Sequence, residues 1–233
     1  HKNKKMKRLF ILGFSAALLA GGVSTCKKTS KGKMSNEWKV SSMTTETTSV
    51  SANGNKTVTS ISLDGTTGTK KSVFTVSGTD TETNKTAAVT EMTYTIEKDG
   101  TWKSVNDVTW TTTFTGGSSS DATKTTTSGT WSFLSKNKSG DFKKNERVVF
   151  NTLSEAATTV SSTTIGGSTS SAESSESDTY AEGESAITYV VVESKGKELQ
   201  LKADMKGTSS STSGGTTSSS SNEGTQSMTL VQK

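Results

Sequence analysis

The sequence predicts an all-β protein: an antiparallel up-and-down barrel of about 8–10 strands, with a two-sheet sandwich as the alternative arrangement. Three observations predict it. Apolar residues recur with period two in a series of short windows, and no window beyond the N-terminal segment repeats with helical periodicity. Consecutive windows are joined by short turn signals, which places each strand beside the next. The chain has 233 residues, of which 28% are hydrophobic and 6% aromatic, with 21 glycines and no proline. That share lies well below the usual apolar content of about 45–50%, so the core is thin for the length, and Ser and Thr fill the deficit.

In chain order, the first element is an export signal over residues 1–25. From Met6, the expected start, the chain reads MKRLFILGFSAALLAGGVSTC. A basic start, an apolar run from Leu9 to Leu19 and a small-residue end make a secretory signal peptide, because the run is too short for an ordinary membrane span. Val23-Ser24-Thr25-Cys26 resembles the lipobox of bacterial lipoproteins, with Thr25 bulkier than the residue usual before the cysteine. The resemblance implies lipidation of Cys26, and several acyl chains on one residue hold a protein firmly. Cys26 is the only cysteine and His1 the only histidine, so neither an intrachain disulfide nor a His-activated thiol competes with that role.

Removing residues 1–25 takes away Lys2, Lys4, Lys5, Lys7 and Arg8, and the 27 basic residues fall to 22, equal to the 22 acidic ones. The formal charge of +5 therefore belongs to the signal segment, and no electrostatic case for nucleic acid survives. Residues 26–35 form a polar, lysine-bearing tether. Lys27 is not the aspartate that marks inner-membrane retention in enteric bacteria, and no acidic run follows Cys26. The expected address is the outer membrane with the body facing the periplasm; the cell surface is the alternative.

The barrel is expected over residues 36–233. Its first strand carries Trp38, Val40 and Ser42 on one face. The second offers either Val58 with Ser60 or the opposite set, Ile61 with Leu63, and Val73 to Val76 make the third. Met92, Tyr94 and Ile96 alternate into Asp99-Gly100, a turn pair in which glycine tolerates positive φ. The return strand carries Trp102, Val108, Trp110, Thr112 and Phe114, with a bulge expected at Asn106-Asp107. Trp131 and Phe133 follow, then Val148 and Phe150, and a threonine-rich strand from Ala157 to Ile165. Ile187, Tyr189 and Val191 pair through a turn at Ser194 to Lys197 with Leu199, Leu201, Ala203 and Met205. Met228 and Leu230 close the chain. Three low-complexity stretches, Gly116–Ser128, Ser161–Ser185 and Gly207–Gly224, read as long, mobile Ser/Thr/Gly-rich loops between strands. The middle one holds Glu173, Glu176, Asp178, Glu182 and Glu184 without the regular spacing of a calcium loop, so no metal site is expected.

Several motifs resemble one family. Asn36-Glu37-Trp38 stands where a Gly-x-Trp-like strand follows the lipidated cysteine. Thr93-Tyr94-Thr95-Ile96 precedes Asp99-Gly100-Thr101-Trp102, then come Ser128-Gly129-Thr130-Trp131-Ser132-Phe133 and the late pair Tyr189 to Val192 with Glu198 to Leu201. Together they are similar to the lipocalin-like lipoproteins of Bacteroidetes. The resemblance implies a small lipid-anchored barrel whose interior is filled by side chains or holds one apolar ligand.

Trp38, Tyr94, Trp102, Trp110, Trp131 and Tyr189 are the candidate inward-facing aromatics, as core or as ligand contacts. Without a histidine or a second cysteine in the mature chain, Ser-His-Asp, Cys-His and His/Cys zinc chemistry have no residues to use. No carboxylate sits in an apolar setting that would tune it for glycosidase work. The expectation is a binding protein without a cofactor, set against a structural or adhesive lipoprotein that meets partners through its Ser/Thr-rich loops.

Overall fold

The computed structural model describes residues 30–136, 145–213 and 216–233; the expected signal peptide, Cys26 and the first residues of the expected tether lie outside them. A five-residue helix, α1 (Ser30–Met34), leads into eleven strands: β1 (Glu37–Ser51), β2 (Lys56–Leu63), β3 (Thr67–Val76), β4 (Thr79–Ile96), β5 (Thr101–Phe114), β6 (Gly117–Leu134), β7 (Glu146–Ile165), β8 (Ser168–Thr179), β9 (Ala186–Lys195), β10 (Glu198–Ser213) and β11 (Thr216–Gln232). All pairings are antiparallel, and β1 to β7 follow one another around the wall. The circuit closes through β6–β7, β7–β9, β9–β10, β10–β11 and β11–β1, giving a ten-stranded barrel with β8 as an extra strand on β7. Closure excludes the sandwich and removes most of the free edge that a one-sided sheet would expose.

The two ends of this barrel differ. At one end Glu37, Trp38 and Lys39 pair directly with Thr95, Tyr94 and Thr93, so β1 meets β4 and the β2–β3 hairpin drops out of the ring. Eight strands enclose this narrow half. At the other end the wall parts in two places. The β4–β5 ladder stops at Thr86–Thr111, while β4 continues beside β3 as far as Thr79. The β9–β10 ladder stops at Lys202–Val190, while β10 continues beside β11 alone. The wide half is therefore two leaves. One is built from the ends of β4, β3, β2, β1, β11 and β10, the other from those of β5, β6, β7 and β8.

Apolar side chains collect in the narrow half. Trp38, Val40, Ile96, Leu199, Leu201, Leu230 and Val148 are essentially without solvent contact, as is Met34 of α1. Met34 closes the narrow end, and its carbonyl accepts the Trp38 indole N–H at 2.8 Å. The tether expectation is corrected here: Ser30–Met34 is helical, and Met34 joins the core because it is the one large apolar residue in that stretch. Of the two faces open for β2, Ile61 and Leu63 turn inward.

The three stretches read as loops are strands. Gly117–Ser128 pairs with both β5 and β7, Ser168–Thr179 pairs with β7, and Gly207–Ser213 with Thr216–Gly224 completes β10 and β11. Threonine is β-branched and suits extended backbone, and neighbouring hydroxyls bridge the strands. Thr123 lies 3.0 Å from Thr159, Ser162 2.8 Å from Ser171, and Thr164 2.8 Å from Thr169, oxygen to oxygen. Such cross-strand pairs contribute roughly 0.2–1 kcal/mol each, so a sheet persists without an apolar face.

Two register details also differ from expectation. The extra residue near Asn106-Asp107 belongs to the partner strand: Val89 faces Val108 and Glu91 faces Asp107, leaving Thr90 of β4 unmatched. A second bulge at Ser41 lies between Val40 and Ser42. It flips the face, so Ser42 points outward and Met43 packs on the core. Asp99-Gly100 turns as expected, with Gly100 at φ 94° and the Asp99 carboxylate accepting the Thr101 amide at 2.9 Å.

Candidate functional site: the divided barrel interior

Five of the six candidate aromatics lie in the narrow half, where they fill the interior. Tyr94 stacks on Trp102 with ring centroids 6.0 Å apart, Phe150 sits edge-on to Trp102 at 5.1 Å, and Tyr189 sits edge-on to Phe150 at 5.9 Å. Three indoles are satisfied by backbone carbonyls: Trp38 on Met34, Trp102 on Asn151 at 3.1 Å, and Trp131 on Glu97 at 2.8 Å. Tryptophan is buried most cheaply when its N–H finds such a partner. Burial pushes the Tyr94 hydroxyl up to about 12. The Tyr189 hydroxyl is raised well above the ordinary tyrosine value, by burial first and by Tyr94 second. These residues pack on one another as a buried core.

The interior turns polar one tier higher. The Tyr189 hydroxyl donates to Gln226 Oε1, and Gln226 Nε2 reaches Thr45 Oγ1 at 3.4 Å. Thr127 Oγ1 donates to Glu155 at 3.3 Å. Asn106, inward on β5 opposite Met92 and Thr125, keeps its Oδ1 buried without a partner. These groups form the floor of the space between the leaves.

Trp110, the sixth aromatic, stands apart from the others. It is half-buried against the top of the core and lies directly opposite Asp121 of β6. Asp121 Oδ2 accepts Lys85 Nζ at 3.0 Å, and Oδ1 accepts Ser161 Oγ at 2.9 Å. The Lys85 contact lowers the Asp121 carboxyl most, Ser161 adds to it, and Lys70 acts on the same carboxylate through space. Lys70 therefore shares this interior, directly opposite Lys85 on β3–β4. The Lys85 and Asp121 side chains keep 30% and 38% of their surface exposed, so water enters between the leaves. Toward the mouth, Phe74, Phe114 and Ile165 fall on the inward faces of β3, β5 and β7 and are 44%, 46% and 61% exposed.

Glu155, Glu176 and Asp178 line the inward side of β7–β8. The Tyr180 hydroxyl beside them is raised by partial burial and then by Glu155, Asp178 and Glu176. Strand alternation separates these carboxylates from Glu173. Among the described residues no group of three or more His, Cys, Asp or Glu is arranged to hold a metal ion.

Lys70, Lys85, Asp121 and Ser161 were not among the sequence candidates. Asp121 sits in a stretch read as a loop, so it had no face, and Ser161 falls where the threonine-rich strand and the second loop stretch overlap. Lys70 did carry a signal: period two from Phe74 puts it on the inward side of β3. Set beside protein-family models, curated proteins and solved structures, the chain matches none.

Proposed function

We propose that this chain is an exported, lipid-anchored envelope protein whose barrel receives a small ligand between the two leaves of its wide half and performs no catalysis. The carrying observation is the division of the interior. A filled apolar half lies below a water-reached half that combines Trp110, an ion pair and an apolar mouth, the mixture that orients a small molecule. The expected ligand is thus amphipathic, which revises the purely apolar ligand that the sequence favours.

The signal peptide, the lipobox-like cysteine and the lipocalin-like motif order support membrane attachment through Cys26, with the outer membrane and a periplasmic body as the expected address. The outward faces of β3 and β4 carry the Lys71–Glu82 ion pair at 2.6 Å, with Asp80 and Asn84 nearby. That wet exterior fits a protein held beside the membrane better than one whose strands cross it. Solvent extraction of the purified protein followed by mass spectrometry tests the ligand. A stoichiometric small molecule is expected, and an empty protein that binds no amphiphile ends this reading.

The structural or adhesive alternative is favoured by a different observation. The outer edge of β8 and the edge of β10 beyond Lys202 pair with no strand among the described residues. Such edges accept added strands. If pull-down recovers a stoichiometric protein partner whose binding shields the β8 amides, while no small molecule is extracted, that alternative replaces the first.

A further inference from the structure

The ligand reading can be carried to a chemical class, and the following inference rests on it. Lys70 and Lys85 are directly opposed on the inward face of the β3–β4 ladder, an arrangement that like charges disfavour unless something anionic lies between or above them. One carboxylate, Asp121, reaches across the split between β4 and β5 to take Lys85 at 3.0 Å. Among the described residues Lys70 makes no ion pair of its own. The local balance is two cations to one anion, in a solvent-reached site bordered by two large apolar side chains: Ile61 lies opposite Lys70, and Trp110 lies opposite Asp121. The inward acids Glu155, Glu176 and Asp178 belong to the β7–β8 side, and Glu155 is engaged by Thr127.

The apolar mouth completes the pattern. Phe74 lies four residues beyond Lys70 on the same face of β3, about 13 Å along the strand. Phe114 holds the corresponding place above Trp110, its ring lying over Gly117. We infer that the cleft between the leaves binds a single-chain amphipathic anion, with its phosphate, sulfate or carboxylate head on Lys70 and Lys85 beside Trp110 and its apolar chain between Phe74 and Phe114. A head-first orientation follows from the order of the residues: charge at the floor, aromatic rings at the mouth. Asp121 positions Lys85 and offsets the repulsion between the two neighbouring ammonium groups before the ligand arrives.

The test compares decyl phosphate with decyltrimethylammonium, equal in chain and opposite in charge, each below its micelle concentration and read by tryptophan fluorescence. The native protein is expected to bind decyl phosphate at least about tenfold more tightly, as a charge-assisted contact supplies. Lys70→Gln is expected to erase that preference, Lys70→Arg to keep it, and Phe114→Ser to weaken both probes alike. A thermal melt of each variant confirms its fold, and Lys70 is half-buried, lies outside the apolar core and makes no ion pair among the described residues, so its replacement leaves the core intact. If both probes bind equally, or Lys70→Gln leaves the preference unchanged, the anion site is wrong while ligand binding in the cleft stands. If neither probe binds, both readings fall.

Discussion

An added Cβ meets the neighbouring strand more closely at Gly129 than at any other described glycine, and Gly129→Ala tests the wall of the narrow half. Gly129 lies on β6 beside the bulge at Leu153, where the β6–β7 register shifts. A Cβ there would stand 1.9 Å from the Asn151 carbonyl oxygen, 2.9 Å from its carbon and 3.0 Å from the Leu153 nitrogen. All three are backbone atoms, so no side chain can swing aside and the ladder itself must move. Asn151 anchors three further contacts. Its carbonyl accepts the Trp102 indole, its Nδ2 donates to Thr130 Oγ1 at 3.2 Å, and its Oδ1 accepts the Gly183 amide at 2.8 Å. Overpacking at a tight site costs about 1–3 kcal/mol, and loosening one buried hydrogen bond costs about 1 kcal/mol more. The sum, about 2–4 kcal/mol, corresponds to a Tm lower by roughly 4–16 °C for a chain of this length. Thermal unfolding followed by tryptophan fluorescence reads it directly. Gly32→Ala, where nothing lies within 4 Å of the added Cβ and alanine suits the helix better than glycine, is the control and is expected not to lower the Tm. A Gly129→Ala protein that melts with the native one would refute the packing of β6 on β7 described here.

The Tyr94 and Tyr189 hydroxyls are raised by burial, so the native protein holds their protons after the unfolded chain has lost them. Stability from this source is complete below about pH 10, the unfolded value, and declines as the pH rises toward and through about 12; denaturation midpoints measured across that range should fall, and Tyr94→Phe should flatten the decline. A double-mutant cycle on Thr123→Val and Thr159→Val should return a coupling of about 0.2–1 kcal/mol by urea unfolding, and zero coupling would remove the hydroxyl bridge from the account. In hydrogen exchange, amides of β10 that face β9 between Glu198 and Lys202 should be protected, whereas those on the same edge beyond Lys202 and on the outer edge of β8 should exchange rapidly; uniform protection would mean that the leaves are sealed.

The narrow half was legible because its strands alternate in the ordinary way. Trp38, Tyr94, Trp102, Trp131 and Tyr189 are each spaced by two from another inward residue, and their strands pair through tight turns. The wide half was not legible for the opposite reason. When both faces of a strand are threonine and serine, alternation carries no contrast, and composition alone suggests a loop. What distinguishes strand from loop there is the hydroxyl bridge between neighbours, which one strand read alone does not reveal. The site followed the same division. Trp110 was found by its aromaticity, but Asp121 beside it became visible only when β6 acquired a register. The bulges at Ser41 and Thr90 show the limit of period two, since each reverses the face without a glycine or proline to announce it.

The division of the interior is the central claim, and exchange of the four indole N–H groups measures it most directly. In nitrogen-edited NMR spectra of the uniformly labelled protein, Trp38, Trp102 and Trp131 donate to buried or half-buried carbonyls, so their indole protons should exchange slowly. The resonance lost in Trp110→Phe should be the fast one, because Trp110 borders the partly exposed Lys85–Asp121 pair between the leaves. Three slow indoles and one fast indole assigned to Trp110 is the predicted result. A Trp110 indole as protected as the rest would contradict it.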